Sequence, residues 1–123
     1  MTPEENIALL HRLTEILNAG DIARVPEVVS EDFQRHDAVR VENGVNGVKR
    51  FLLDRHEEYA DLIWSVSNAV SRGDHVAATV TGQATHRQTG KQVTGDGLIL
   101  ARIEDGKVAE VTSLWDRSNM PGD

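Results

Sequence analysis

The sequence contains no cysteine, only three prolines, and few aromatic side chains: two tryptophans, two phenylalanines and one tyrosine in 123 residues. Without cysteine there can be no disulfide framework, thiolate zinc site, iron–sulfur cluster or thiol nucleophile, so packing alone must hold the fold. Long apolar runs are also missing. The longest stretches without a formal charge are the ten residues from Leu62 to Ser71 and a comparable run from His75 to His86. Both fall well short of the roughly 18 apolar residues that suggest a membrane span. Basic residues are outnumbered, 13 against 20, for a net charge of −7. That balance repels phosphate backbones, and no lysine cluster with interleaved aromatics offsets it, so neither nucleic acid nor membrane is expected as a partner. The opening Met-Thr-Pro-Glu-Glu is the reverse of the basic start of a secretory signal, which makes the cytoplasm the expected location.

What is present is the composition of one globular domain, 39% hydrophobic and 27% charged, expected to span residues 1–123. Thr2-Pro3-Glu4-Glu5 reads as a capped helix start, and Ile7, Leu10, Leu13, Thr14 and Leu17 follow at helical spacing, predicting a helix over 3–18. Asn18-Ala19-Gly20 stops it, and Asp21 can cap a second, shorter helix that Pro26 either starts late or cuts short. From Ser30 to Asn43 no helical period survives, and Phe33 with Arg35-His36-Asp37 is placed where the chain turns between helices. Val45, Val48, Phe51, Leu52 and Arg55 predict a third helix from Gly44 or Gly47 to Tyr59. The second half changes to alternation. Leu62, Trp64, Val66 and Val70 share one face of a first strand, Val76, Ala78, Val80, Gly82 and Ala84 one face of a second, and a third runs from Val93 to Ile103.

Asp105-Gly106 between two alternating runs suits a two-residue hairpin, with a fourth strand from Val108 to Trp115. If Glu104 pairs with Lys107 and the register runs on unbroken, Ile99 faces Thr112 and Gly95 faces Asp116. One face then carries Ile99, Ala101, Ile103, Val108, Thr112, Leu114 and Asp116, and the other Leu98, Leu100, Val111, Ser113 and Trp115. Both are partly apolar. Helices cover one, and a second copy of the chain is the expected cover for the other, a homodimer through the sheet face. The fold class is α+β, with three N-terminal helices on a curved, mostly antiparallel sheet.

The order of these elements, with Phe33-Gln34-Arg35-His36-Asp37, Gly47-Val48-Lys49-Arg50-Phe51, Ala84-Thr85-His86-Arg87, Thr89-Gly90-Lys91 and the run Arg102 to Glu110, resembles the SnoaL-like polyketide cyclase (ester cyclase) branch of the NTF2-like superfamily. The resemblance spans roughly residues 4 to 118. It implies an α+β cone around an apolar cavity, commonly a homodimer, with no metal or organic cofactor. In these cyclases an aspartate near the end of the last strand is general acid/base in an intramolecular aldol ring closure; the matching position is Asp116. His36 and His86 match histidines that the resemblance places near the cavity. The chain departs from the family at Ala84, where glycine is frequent, and at Thr112, where tryptophan is.

The residues support this chemistry independently. A carboxylate beside Leu114, Thr112 and Ile99 would lose solvation, which raises its pKa and suits it to proton transfer; otherwise Asp116 simply ends the strand in an ion pair with Arg117 or Arg35. His86 keeps the parity of Val76, Val80 and Ala84 and points inward, to hold a substrate carbonyl or to serve as a wall residue. Trp64, Phe33, Phe51, Ile99, Thr112 and Leu114 are the expected substrate contacts. No His-x-His or His-x-x-x-His pair supports a metal, and no Gly-x-Ser-x-Gly elbow or phosphate loop is present. The only tyrosine, Tyr59, closes the third helix among charges, which argues against an isomerase-type oxyanion hole. Two functions stay open: cofactor-independent acid/base cyclisation or isomerisation of a small, largely apolar carbonyl compound, or a module that binds such a ligand or assembles without turnover.

Overall fold

The computed structural model describes residues 1–36 and 41–116, and for residues 41 and 42 the backbone only. Asp37 and Arg117, singled out above, lie outside the described residues. Helix α1 covers Pro3–Ala19. Thr2 Oγ1 accepts from the Glu5 N–H at 3.1 Å, and the Glu5 carboxylate accepts from the Thr2 N–H at 2.9 Å. That second bond holds the Glu5 carboxyl below its usual pKa. The contribution is therefore present at neutral pH and is lost as pH falls through the lowered value. Leu9, Leu10, Leu13 and Ile16 form the buried stripe, and Gly20, at φ 67°, closes the helix in the left-handed conformation.

A 3₁₀ turn, Ile22–Arg24, runs into the four-residue α2, Val25–Val28, with Pro26 in its first turn where no backbone donor is required. Next comes β1, Val29–His36, then β2, Val41–Asn43, and α3, Gly44–Glu58. The remaining strands are β3 (Tyr59–Arg72), β4 (His75–His86), β5 (Gln92–Glu104) and β6 (Lys107–Asp116). They form one six-stranded sheet ordered β2-β1-β6-β5-β4-β3. The fold class stands as expected, but the sheet has two more strands than the sequence suggests. Phe33 is not in a turn; it is a buried residue of β1, which pairs parallel with β6.

Two strands also change face where alternation predicts none. In β3 the register shifts between Ala60 and Ile63 and again between Ser67 and Val70, at Asp61 and Asn68, whose φ angles are 55° and 54°. An inserted residue reverses the parity of everything beyond it. Leu62, Trp64 and Val66 therefore face inward while Val70, expected with them, is 65% exposed and Ala69 takes its place against the core. In β6 the Asp105-Gly106 turn forms as predicted, both residues at positive φ, and Ile103 pairs with Val108. The register then slips by one, so Arg102 faces Glu110 and Ile99 faces Ser113, not Thr112. Val108 and Ala109 are both buried side by side at the slip.

The core lies between the inner sheet face and the helices, around Ile16, Val25, Val28, Leu52, Val76 and Val108. Edge strand β3 would leave backbone groups unpaired beside the cavity. Asn18 at the end of α1 covers them, its Oδ1 accepting from the Trp64 N–H at 2.8 Å and its Nδ2 donating to the Trp64 carbonyl at 2.9 Å.

Candidate active site

Helices and sheet do not close completely. A cavity of about 110 Å³ remains between them, lined by α1 (Leu10, Leu13, Thr14, Leu17), by Val48 and Phe51 of α3, by Phe33 and Arg35 of β1, and by Trp64, Val66, Val80, Ile99, Val111, Ser113 and Trp115 of the sheet. A neighbouring recess of about 50 Å³ shares Arg35, Phe51, Trp64 and Trp115 with it and adds Arg55, Tyr59, Leu62 and Gln83. Both tryptophans, both phenylalanines and the tyrosine border one or other of these spaces, so the whole aromatic content of the chain is gathered here.

The Trp115 ring is seated on bare sheet. Gly82 and Gly95 are cross-strand partners, and Gly97 lies opposite Trp115. Methyl groups added at these three positions would stand 3.8, 3.6 and 3.0 Å from the ring atoms Cη2, Cε3 and Cδ2 respectively. The indole therefore rests in van der Waals contact with the sheet over Gly82 and Gly95, and at Gly97 only hydrogen fits beneath it. Opposite, the Arg35 guanidinium carbon stacks 3.9 Å from the centroid of Phe51, and Arg55 lies 5.0 Å from the same ring. Arg55 is also 3.7 Å from Glu58. Phe51 and Trp64 meet at 6.0 Å between ring centroids.

The slip in β6 decides which expected site residues meet. Trp64, Phe33, Phe51 and Ile99 line the cavity. Thr112, Leu114 and Asp116, expected beside Ile99, are exposed on the opposite face of the sheet, and Leu114 and Asp116 border a shallow groove there with Thr81, Asp96 and Leu98. His36 is on that outer side as well, 3.1 Å from Glu110, which itself lies 3.5 Å from Arg102. Arg102 hydrogen-bonds Glu104 at 2.8 Å, and that bond raises its pKa. His86 does keep the inward parity, but it sits at the end of β4 behind Tyr59, ring centroids 5.5 Å apart, with Nε2 3.9 Å from Glu58. It borders neither the cavity nor the neighbouring recess.

Among the described residues the cavity lining thus holds no carboxylate and no imidazole. Its polar groups are Arg35, Ser113 and Thr14, whose hydroxyl donates to the Leu10 carbonyl at 2.9 Å. Ser113 and Trp115 escape the sequence reading because one extra residue inverts β6, and Arg35 because its segment reads as a turn and not as strand β1. The adjacent apolar pair Val108-Ala109 was the available hint, since one of the two must break the alternation. Tyr59 does close α3, as its C-cap, but its side chain is buried, 4% exposed, and borders the neighbouring recess.

The model of the family described as SnoaL-like polyketide cyclase matches residues 7–121. The chain belongs to the SnoaL-like polyketide cyclase family. Solved structures agree on the fold. TsrD from Streptomyces laurentii superposes with a TM-score of 0.87 at 17% identity, covering 98% of this chain and 94% of that one. A SnoaL-like polyketide cyclase from Agrobacterium tumefaciens gives 0.83 at 17% identity, over 98% and 96%. PrhC from Penicillium brasilianum gives 0.84 at 16% identity, over 97% and 85%. At these identities the superpositions establish a shared α+β fold. No curated protein is detectably similar. Among the described residues of this SnoaL-like chain no helix is long and apolar enough to cross a membrane, and no cluster of three or more His, Asp or Glu has metal-binding geometry.

Proposed function

We propose that the protein is a small-molecule enzyme that enolises a planar, largely apolar carbonyl compound for aldol-type cyclisation or isomerisation, with Arg35 holding the oxygen on which negative charge develops. The observation that carries this reading is the gathering of both tryptophans and both phenylalanines around one cavity whose lining includes a single cation, Arg35, among the described residues. Flat rings recognise flat ligands, and the apolar walls raise the strength of any charge interaction inside. A guanidinium has five donors in a fixed fork, so it can hold a protein partner and still donate to a ligand oxygen. It stays protonated and is not a base. Its part is to stabilise the enolate, so that solvent entering the cavity takes the carbon-bound proton. The enolate carbon then bonds to a second carbonyl carbon, whose oxygen takes up a proton.

A test needs no knowledge of the natural substrate. 2-Acetonaphthone, a flat aromatic ketone, exchanges its methyl protons slowly in D₂O, and NMR follows the rate. The wild-type protein is expected to accelerate that exchange, Arg35→Gln to lose about 10²- to 10³-fold of the acceleration, and Asp116→Asn to keep it. Loss in Asp116→Asn with retention in Arg35→Gln would return the catalytic role to the strand-end aspartate. A second reading, a ligand-binding module without turnover, is favoured by the absence of a proton acceptor among the described lining residues; saturable binding without accelerated exchange is its signature.

The outer sheet face supports assembly. Leu98 and Leu114 are cross-strand partners at 59% and 64% exposure, with Leu100 at 45% beside them. We read this face as the contact between two copies of the chain, and light scattering at micromolar concentration is expected to give a dimer mass that Leu114→Lys reduces to the monomer; a monomeric wild type ends the idea.

A further inference from the structure

One group in the cavity wall has no part in the chemistry above. Ser113 is 2% exposed, and its Oγ has no hydrogen-bond partner among the described residues. A buried hydroxyl in that state opposes folding, and alanine would fill nearly the same space without it. Packing alone therefore gives no reason for a serine. Its surroundings are apolar: Ile99 faces it across the β5–β6 ladder, and Val111 and Trp115 flank it on the same side of β6. Arg35 is registered against Val111, two residues away along that strand. The two polar groups also differ in what they border, since Arg35 lines both the cavity and the neighbouring recess while Ser113 lines the cavity alone.

We propose that Ser113 is a specificity-determining residue whose hydroxyl pairs with a second oxygen, a hydroxyl or carbonyl on the flat apolar body of a ligand whose reacting carbonyl is held at Arg35. The class of ligand is thereby narrowed from any planar ketone to one that carries a second oxygen on its flat body. Discrimination of this kind is strong because a ligand lacking the second oxygen leaves the serine buried and unpaired. This inference rests on the ligand-cavity reading of the preceding subsection, and its test separates the two.

The probes are 2-acetonaphthone and 6-hydroxy-2-acetonaphthone, which differ by one oxygen at the far end of the ring system, titrated calorimetrically. Wild-type protein is expected to bind the hydroxylated ketone about tenfold more tightly than the plain one. Ser113→Ala is expected to bind both alike, with affinity for the plain ketone within about twofold of wild type and an unchanged or higher melting temperature without ligand. A purely structural serine would lower the melting temperature on substitution and leave the preference intact. Retention of the preference in Ser113→Ala, or equal binding of both ketones by the wild type, overturns the role of Ser113 and leaves the cavity reading standing. If the wild type binds neither ketone, the cavity reading fails and this inference with it.

Discussion

Gly97→Val should unseat Trp115 and destroy the cavity together with much of the stability. A Cβ at this position would lie 2.7 Å from the Leu114 carbonyl oxygen and 3.0 Å from Cδ2 of the indole. The first neighbour is backbone within a strand ladder and cannot step aside, so the strands must separate or the ring must leave. Overpacking of a tight interior site costs about 1–3 kcal/mol and more when backbone moves. Loss of the ring's own burial adds to it. For a domain of this size each kcal/mol corresponds to roughly 3–5 °C, so calorimetry is expected to show a fall on the order of 10 °C or more. Naphthalene-ketone binding should vanish with it. A melting temperature within about 2 °C of wild type, with binding preserved, would mean that the indole does not rest on the three glycines.

Leu52→Ala is the second large effect, and it acts from the opposite layer. Leu52 is fully buried in α3 within the main core, although it does not line the cavity. Truncation removes three carbons from a site whose surroundings are held by the rest of the core, so collapse is only partial. The expected loss is about 2–5 kcal/mol, read as a shift in denaturant midpoint at unchanged slope. The adjacent Leu53, 53% exposed, supplies the internal comparison: its alanine variant should change stability by no more than about 0.5 kcal/mol. Equal losses at the two positions would contradict the helix orientation.

Much of this architecture is written locally. The stripe of α1 with its Thr2 cap, the Asp105-Gly106 hairpin and the switch from helical to alternating pattern each depend on a few neighbouring residues. The strand β1 was not legible for a physical reason. Its segment is mostly polar, and it becomes a strand by lying parallel to β6, some 75 residues later in the chain, a pairing that no local period encodes. The candidate site was legible in part for a different reason. Phe51 lies on a helical stripe, Ile99 on a stretch of β5 whose pairing with β4 is unbroken, and Trp64 between the two irregularities of β3, in step with Leu62 and Val66. Ser113, Trp115, Thr112, Leu114 and Asp116 all follow the slip at Ala109, and a period of two gives no warning of which side a strand occupies once a residue is inserted. The same effect, at Asn68, moved Val70 to the surface.

Because both indoles border one chamber, the chain's intrinsic fluorescence has a single address. Its colour and intensity report on the polarity and occupancy of that chamber before they report on any other part of the molecule. An incoming flat guest would act as quencher or energy acceptor for both emitters at once, so the protein is its own optical sensor for whatever it accommodates. For the same reason, an unfolding curve followed by tryptophan emission tracks the loss of the guest site, and only calorimetry or circular dichroism tracks the remainder.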